Sequence, residues 1–376
     1  MSEEGIDAAL LTHKMSIYYL SGTSQNGVLF APSEGEPLLM IKREYHRARM
    51  DSPLRRVVEI KSLSEIQSHI DGHLHNRTRI LGIEMDVLPV KAYFRLKELF
   101  PNTRLKDISS VICEMRKIKS DYEIQLMKTA GSIGEKVYEE GRILLREGMT
   151  EIEFGGLLET IAKRYGHEGL LRVRSSNYEA YTWHILSGIN GGIVSQSDSP
   201  MGGLGLSPAF PVGASLKTMT ADEPILVDFG TCYHGYQADE TRMYAIRRMP
   251  KKFHDAYQAC CEIHDRILED IRPNAICADI FNKSVRIAEQ LGYGDYYLGP
   301  SGFKTRFVGH GLGLELNEFP FLAAGHNYPL QEGMTFALEP KIVFPGEGAV
   351  GIENTIAVTD TGYERLTPLD QELMVV

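Results

Sequence analysis

PILVDFGTCYHGYQADETRMYAI, residues 224–246, is an apolar run that ends in an acid, turns at Tyr-His-Gly, and comes back carrying a second acid. Apolar segments on either side of a glycine-containing turn predict a β-hairpin. Its carboxylates, Asp228 and Asp239, stand eleven residues apart and fall on neighbouring strands. Acids brought together on a buried sheet repel each other, and their burial is costly unless a cation or hydrogen-bond donors compensate. A bound metal ion provides that compensation.

Three downstream segments ask for the same explanation. His310 lies in RFVGHGLGLELNE (306–318), with glycines on both sides that let the backbone pass close to something and leave the imidazole accessible. Glu339 lies in TFALEPK (335–341), where Pro340 suits a strand end. Glu353 follows fourteen residues later in AVGIENTIAV (349–358), which reads as an interior strand. Taken singly, each has a plain structural reading as a turn acid, a packed histidine or an ion-pair partner. Together, four carboxylates and one imidazole suit a pair of divalent ions of the Mn, Co, Fe or Zn type, since carboxylate oxygens bridge and one histidine adds borderline softness.

Outward from this region, the chain divides in two. Its 376 residues exceed what one core usually organises. Residues 1–118 alternate β-like runs (AALLT, GVLFAP, PLLMIK, RVVEI, RILGIEM) with helical stretches near 40–50, 63–71 and 90–100, the pattern of a small α/β domain. In MRKIKSDYE, Ser120 followed by Glu123 is a capping box, so a long helix is expected to start there and run to about Arg146. Thr150 with Glu153 opens a second helix, and two more are expected in residues 251–271 and 278–292. Residues 119–376 therefore read as helix, helix, strands, repeated once: an α+β domain with helices on one side of its sheet. Residues 188–215, rich in Gly, Ser and Pro, interrupt the pattern as a loop, with a lid as their functional reading.

Composition narrows the partners. With 43% hydrophobic and 24% charged residues and no apolar run near the ~18 residues of a membrane span, a membrane protein is not expected. A net charge of −10 and the absence of a basic cluster argue against nucleic acid. The acidic start MSEEGIDAALL is unlike a secretory signal, and five cysteines without metal-ligand or disulfide spacing suit a reducing cytoplasm.

VDFG, ADETR, GHGLGL, ALEP and GIENT, in this order and spacing, resemble the five metal motifs of the prolidase, aminopeptidase P and methionine aminopeptidase family, which also includes creatinase. EEGIDAALLTHKMSIYYLSG near the start and RKIKSDYEIQLMKTAG at the boundary extend the resemblance over nearly the whole chain. It implies a pita-bread catalytic domain over 119–376, preceded by a creatinase/prolidase-type N-terminal α/β domain over 1–118. It also implies that Asp228 chelates one metal, that His310 and Glu339 hold the other, and that Asp239 and Glu353 bridge them. Glu339 would be the proton shuttle for a metal-activated water attacking an Xaa-Pro or related amide bond. A homodimer is expected on the same ground.

The chain departs from the family pattern at two substrate-binding histidines. Asn317 stands seven residues after His310, where a second histidine is usual. Upstream, the position about seventeen residues before Asp228 is Pro211, or Ser195 if the Gly-rich segment is treated as an insertion. Loss of one oxyanion donor lowers a rate roughly 10²–10³-fold. Asn317 still offers an amide N–H and is a catalytic candidate. Substrate-contact candidates are His184 in YTWHILSG, Arg242 near the second acid, and Phe210 in the loop, whose neighbours Met201, Leu204 and Leu206 would complete an apolar pocket; His234 is a weaker one. Two other readings stay open: a different amide hydrolase or lyase on the same scaffold, and a non-catalytic binding protein.

Overall fold

The computed structural model describes residues 5–74, 79–175, 183–194 and 199–376. Its described residues divide into one compact unit of 5–74, 79–115 and 174–175 and a larger one of 116–173, 183–194 and 199–376.

The first unit runs β1 (Ala8–Leu11), α1 (Lys14–Ser21), β2 (Gly27–Pro32), β3 (Leu38–Ile41), α2 (Tyr45–Asp51), β4 (Val57–Glu59), α3 (Ile66–Leu74), β5 (Ile80–Ile83), α4 (Val90–Leu99), β6 (Arg104–Asp107) and α5 (Ser109–Lys117), with the division falling inside α5. Its six strands pair in the order β4-β3-β2-β1-β5-β6. Successive strand side chains point to opposite faces, which explains why the runs are continuously apolar. Ala8, Leu10, Val28 and Phe30 enter one core, whereas Ala9, Leu11, Leu29 and Leu39 enter a second. A sheet covered on both faces leaves no polar side to alternate with.

The second unit opens with α6 (Asp121–Leu144) and α7 (Glu151–Arg164). Both capping boxes form: the Ser120 hydroxyl accepts from Glu123 N–H and the Glu123 carboxylate from Ser120 N–H, and Thr150 and Glu153 do the same. β7 (Trp183–Ser187), β8 (Ile225–Tyr233) and β9 (Tyr236–Ala245) follow, then α8 (Lys251–Leu268) and α9 (Cys277–Gln290), then β10 (Phe307–Leu312), β11 (Leu316–Ala323), β12 (Thr335–Leu338), β13 (Lys341–Phe344), β14 (Gly348–Gly351), β15 (Asn354–Val358), β16 (Tyr363–Arg365) and β17 (Met374–Val375). The helix-helix-strand order thus occurs twice. Two sheets result, β17-β9-β8-β7 and β11-β10-β12-β15-β16, with the ribbon β13-β14 beside them.

The hairpin expected at 224–246 is β8 paired antiparallel with β9, turning at His234 and Gly235. Tyr138 on α6 fixes the helix to it, its buried hydroxyl donating to Glu240 O at 2.5 Å. The two sheets meet where Thr241 on β9 bridges Glu353 just before β15, with Thr241 N–H to Glu353 O at 3.4 Å and the reverse bond at 3.3 Å. Glu353 is thereby carried from one sheet to the edge of the other. No described helix is long and apolar enough to cross a membrane, and none of the five cysteines is in a disulfide.

Candidate metal centre

Strand register brings the two acids of the hairpin together. Asp228 opposes Thr241 and Asp239 opposes Gly230, so residues 228 and 230 share a face and the two carboxylates lie diagonally across it. His310 enters from β10, which pairs with β11 on one side and β12 on the other. Its flanking glycines serve that pairing: a Cβ at Gly309 would lie 2.4 Å from Ala337 O, and one at Gly311 2.4 Å from Glu318 O. The close approach expected of these glycines is thus to neighbouring strands. Glu339 follows β12, its N–H donating to Val308 O at 2.9 Å.

The five side chains converge. His310 Nε2 lies 3.9 Å from Asp239 Oδ2 and 3.6 Å from Glu339 Oε1. Asp239, His310 and Glu353, all buried, each offer one ligand atom, and these atoms lie within 4.8 Å of one another. Thr241 Oγ1 donates to Glu353 Oε2 at 2.6 Å and Thr355 Oγ1 accepts from Asp239 N–H at 2.8 Å, so neighbouring hydroxyls orient the acids and their strands. Burial, then the neighbouring Asp228 charge, pushes the Asp239 carboxyl up to about 8, and burial raises Glu353 as well. Carboxylates in this condition call for a cation, and two oxygens with an imidazole nitrogen suit a divalent ion.

At the Asp228 end a cation is already present. Lys341, whose side chain is 1% exposed, places Nζ 2.8 Å from Asp228 Oδ2, 2.7 Å from Glu339 Oε2 and 3.4 Å from Glu353 Oε2. Burial works against its charge, but these acids hold the ammonium well above the ordinary lysine range. Burial opposes the Asp228 charge too, yet Lys341 keeps that carboxyl below its usual value. Lys341 thus stands against three of the acids that the family resemblance assigns to metal. Lys341 escaped the sequence reading although its signal was visible in TFALEPK: in extended chain, residues two apart share a face, so Lys341 falls on the Glu339 side.

A cavity of about 640 Å³ opens on His310 and is lined by Asn317, Phe303, Phe307, Phe321, Lys304 and Arg306 among others. Asn317 is exposed there in the left-handed conformation, φ 63°, which asparagine tolerates better than most residues. The chain is fastened on either side of it, at Glu315 just before β11 and at Glu318 within it. Arg116 reaches Glu315 Oε2 at 2.6 Å and also pairs with Glu318, to which Lys119 adds a 3.0 Å contact.

The substrate-contact candidates fare unevenly. Arg242 is fully buried, and its guanidinium donates to the main-chain oxygens of Thr241, Glu353, Leu369 and Asp370 and to Asn354 Oδ1. Its position corrects the expected substrate contact: the donors are spent inside the protein, on the Glu353–Asn354 segment, on Leu369 and Asp370 and on its own strand, where Glu240 also pairs with it at 2.7 Å. Phe210 is half-buried and does not line the cavity; Met201 is a core residue, while Leu204 and Leu206 are about half exposed. The apolar lining comes instead from the phenylalanines around β10 and β11. His184 sits opposite Asp228 on β7, and burial pushes its imidazole down to about 4. His234 is an exposed turn residue, φ 48°. Pro211 lies in the loop, away from the cavity lining, and Ser195 lies outside the described residues.

The model of Metallopeptidase family M24 matches residues 125–360, and that of the Creatinase/Prolidase N-terminal domain matches 1–118. The chain belongs to metallopeptidase family M24. Like other M24 members it is a metal-dependent peptide hydrolase with the pita-bread fold behind a creatinase-type N-terminal domain. Among M24 relatives, an Xaa-Pro dipeptidase of Pyrococcus furiosus is 28% identical over 377 residues, covering 100% of this chain and 97% of that protein. The solved prolidase from Pyrococcus furiosus superposes with a TM-score of 0.81 at 27% identity, covering 98% of each chain. An Xaa-Pro dipeptidase from Bacillus anthracis gives a TM-score of 0.85 at 26% identity, covering 100% of this chain and 96% of that one.

Proposed function

We propose that this protein hydrolyses the Xaa-Pro bond of short peptides, with a divalent ion held by Asp239, His310 and Glu353 and flanked by Glu339. The observation that carries the reading is the meeting of those ligand atoms beside the cavity that opens on His310. Mn, Co, Fe and Zn all suit such donors, and when bound the ion supplies Lewis-acid activation of water and of the scissile carbonyl.

The chain's own groups do the rest. Glu339, with Oε1 directed toward His310, takes the proton of the attacking water and returns it to the leaving nitrogen. Asn317 donates its amide N–H to the oxygen that gains charge as the carbonyl is attacked. Phe303, Phe307 and Phe321 offer a compact aromatic wall suited to a pyrrolidine ring, and Lys304 and Arg306 suit a peptide's terminal carboxylate. A free carboxylate within reach of these cations favours dipeptides over longer peptides. We further propose a cytoplasmic homodimer, which light scattering on purified protein checks.

The test is to strip the protein with a chelator, reload it with each of the four metals, and assay Xaa-Pro dipeptides, longer Xaa-Pro peptides and cyclic amides. Metal-dependent cleavage of dipeptides is expected, abolished in His310→Ala. Metal-loaded protein that leaves every Xaa-Pro peptide intact removes the proposal, and turnover restricted to cyclic amides replaces it with a different hydrolase.

A further inference from the structure

We infer that Lys341 is a built-in cation occupying one of the two positions expected for metal, so that the chain binds a single divalent ion, at Asp239, His310 and Glu353. The inference deepens the reading above and depends on it only for the claim that the centre binds metal.

The ammonium is fully engaged. It has three protons, and three carboxylates lie around it: Asp228 at 2.8 Å, Glu339 at 2.7 Å and Glu353 at 3.4 Å. Glu339 is shared between the two positions, Oε2 on the lysine and Oε1 facing His310. Asp228 is the residue that then loses its expected metal role, because its Oδ2 accepts from Lys341 at 2.8 Å. A second divalent ion on these oxygens, at the ~2.0–2.2 Å of a metal–carboxylate bond, would stand against the ammonium.

The backbone makes room for the lysine stem. Lys341 pairs with Gly351 across the β13-β14 ribbon, and a Cβ at residue 351 would lie 2.5 Å from Lys341 Cγ. Charge agrees with the geometry. Four carboxylates with the lysine and one divalent ion leave a single negative charge, whereas a second ion would leave a net positive charge in a buried site. Lys341 thus supplies, from the chain itself, the positive charge that a second ion would bring, and no chelator removes it.

The experiment is equilibrium dialysis of the full chain against Mn(II), with elemental analysis of bound metal and electron paramagnetic resonance of the loaded protein. One ion per chain is expected, with the hyperfine pattern of an isolated Mn(II). Lys341→Ala is expected to shift the stoichiometry from one to two and to bring in the spectrum of an exchange-coupled pair; Lys341→Met, which keeps the stem but not the charge, covers a failure of the alanine variant to fold. Asp228→Asn should still bind one ion. Two ions on the unmodified chain, or loss of the ion in folded Asp228→Asn, overturns the inference whatever the peptide assay shows. An unmodified chain that binds no Mn(II) overturns both this inference and the metal-dependent reading.

Discussion

Asn317 shows how one side chain at the cavity wall bears on rate. It stands in the left-handed region at the start of β11, between two glutamates clamped by Arg116 and Lys119, so its backbone is held on the wall of the cavity that His310 also lines. Truncation to alanine removes the donor and leaves the ligand atoms in place. We expect kcat on a dipeptide to fall roughly 10²–10³-fold, with KM little changed, because the donor matters most to charge that develops during attack. A steady-state comparison of Asn317→Ala with Asn317→His checks it, the histidine restoring most of the rate. An unchanged kcat in the alanine variant would falsify the donor role. Gly351 belongs to the same scale: a methyl there meets the Lys341 stem, so Gly351→Ala should destabilise the protein by about 1–3 kcal/mol in urea titration.

Among the elements, β9 organises the centre. It carries Asp239, bridges to Glu353 through Thr241, and holds the following segments through Arg242. The Arg242 guanidinium lies in full burial among main-chain oxygens and 2.7 Å from the buried Glu240 carboxylate, so its removal leaves several acceptors without donors and one buried acid without its cation. Arg242→Met should cost about 3–5 kcal/mol of stability, the range for breaking a buried ionic cluster on one side. Because Arg242 bonds Glu353 O at 2.7 Å, metal affinity should weaken in the same variant. Urea denaturation and Mn(II) dialysis report the two effects separately, and an unperturbed metal affinity would limit Arg242 to stability alone. The capping boxes were legible because they need only residues three apart. β6 and α5 were not anticipated in the first unit, since β6, Arg104–Asp107, is polar and partly exposed and carries no apolar signature.

For the whole molecule, metal and pH both act through the folded state. An ion that binds only the folded chain stabilises it by about 2.7 kcal/mol at a concentration of 100 times Kd. The Tm should therefore rise with added Mn(II) and fall with chelator, and a Tm indifferent to both would speak against a specific site. Acid should destabilise the chain through its buried histidines. His264 is fully buried, its Nε2 3.1 Å from Asn354 Nδ2, and burial lowers its pKa below the ordinary 6.5. The unfolded chain then binds more protons, so His264's contribution is intact above pH ~6.5 and is lost as pH falls from there through the lowered folded-state value. Comparing Tm at pH 7.5 and 5.5, His264→Gln should lose less stability than the unmodified chain; an equal loss assigns the acid sensitivity elsewhere.

The amino-acid sequence by itself determined the doubled helix-helix-strand order, the capping boxes and the hairpin at 224–246, because each depends on spacing along the chain and on local hydrogen bonding. It also marked the five residues of the centre, since charged groups in apolar strands need a partner. Which partner they find was decided by tertiary structure. Lys341 sits two residues from Glu339 in plain view, yet only the packing of β13 against Gly351 and the approach of β8 bring its ammonium to Asp228, 113 positions away in the chain. Arg242 was equally visible, and only the long-range fold commits its donors to Leu369, Asp370 and the Glu353 segment. Buried charge chooses among the neighbours that folding supplies, and those neighbours are remote in sequence.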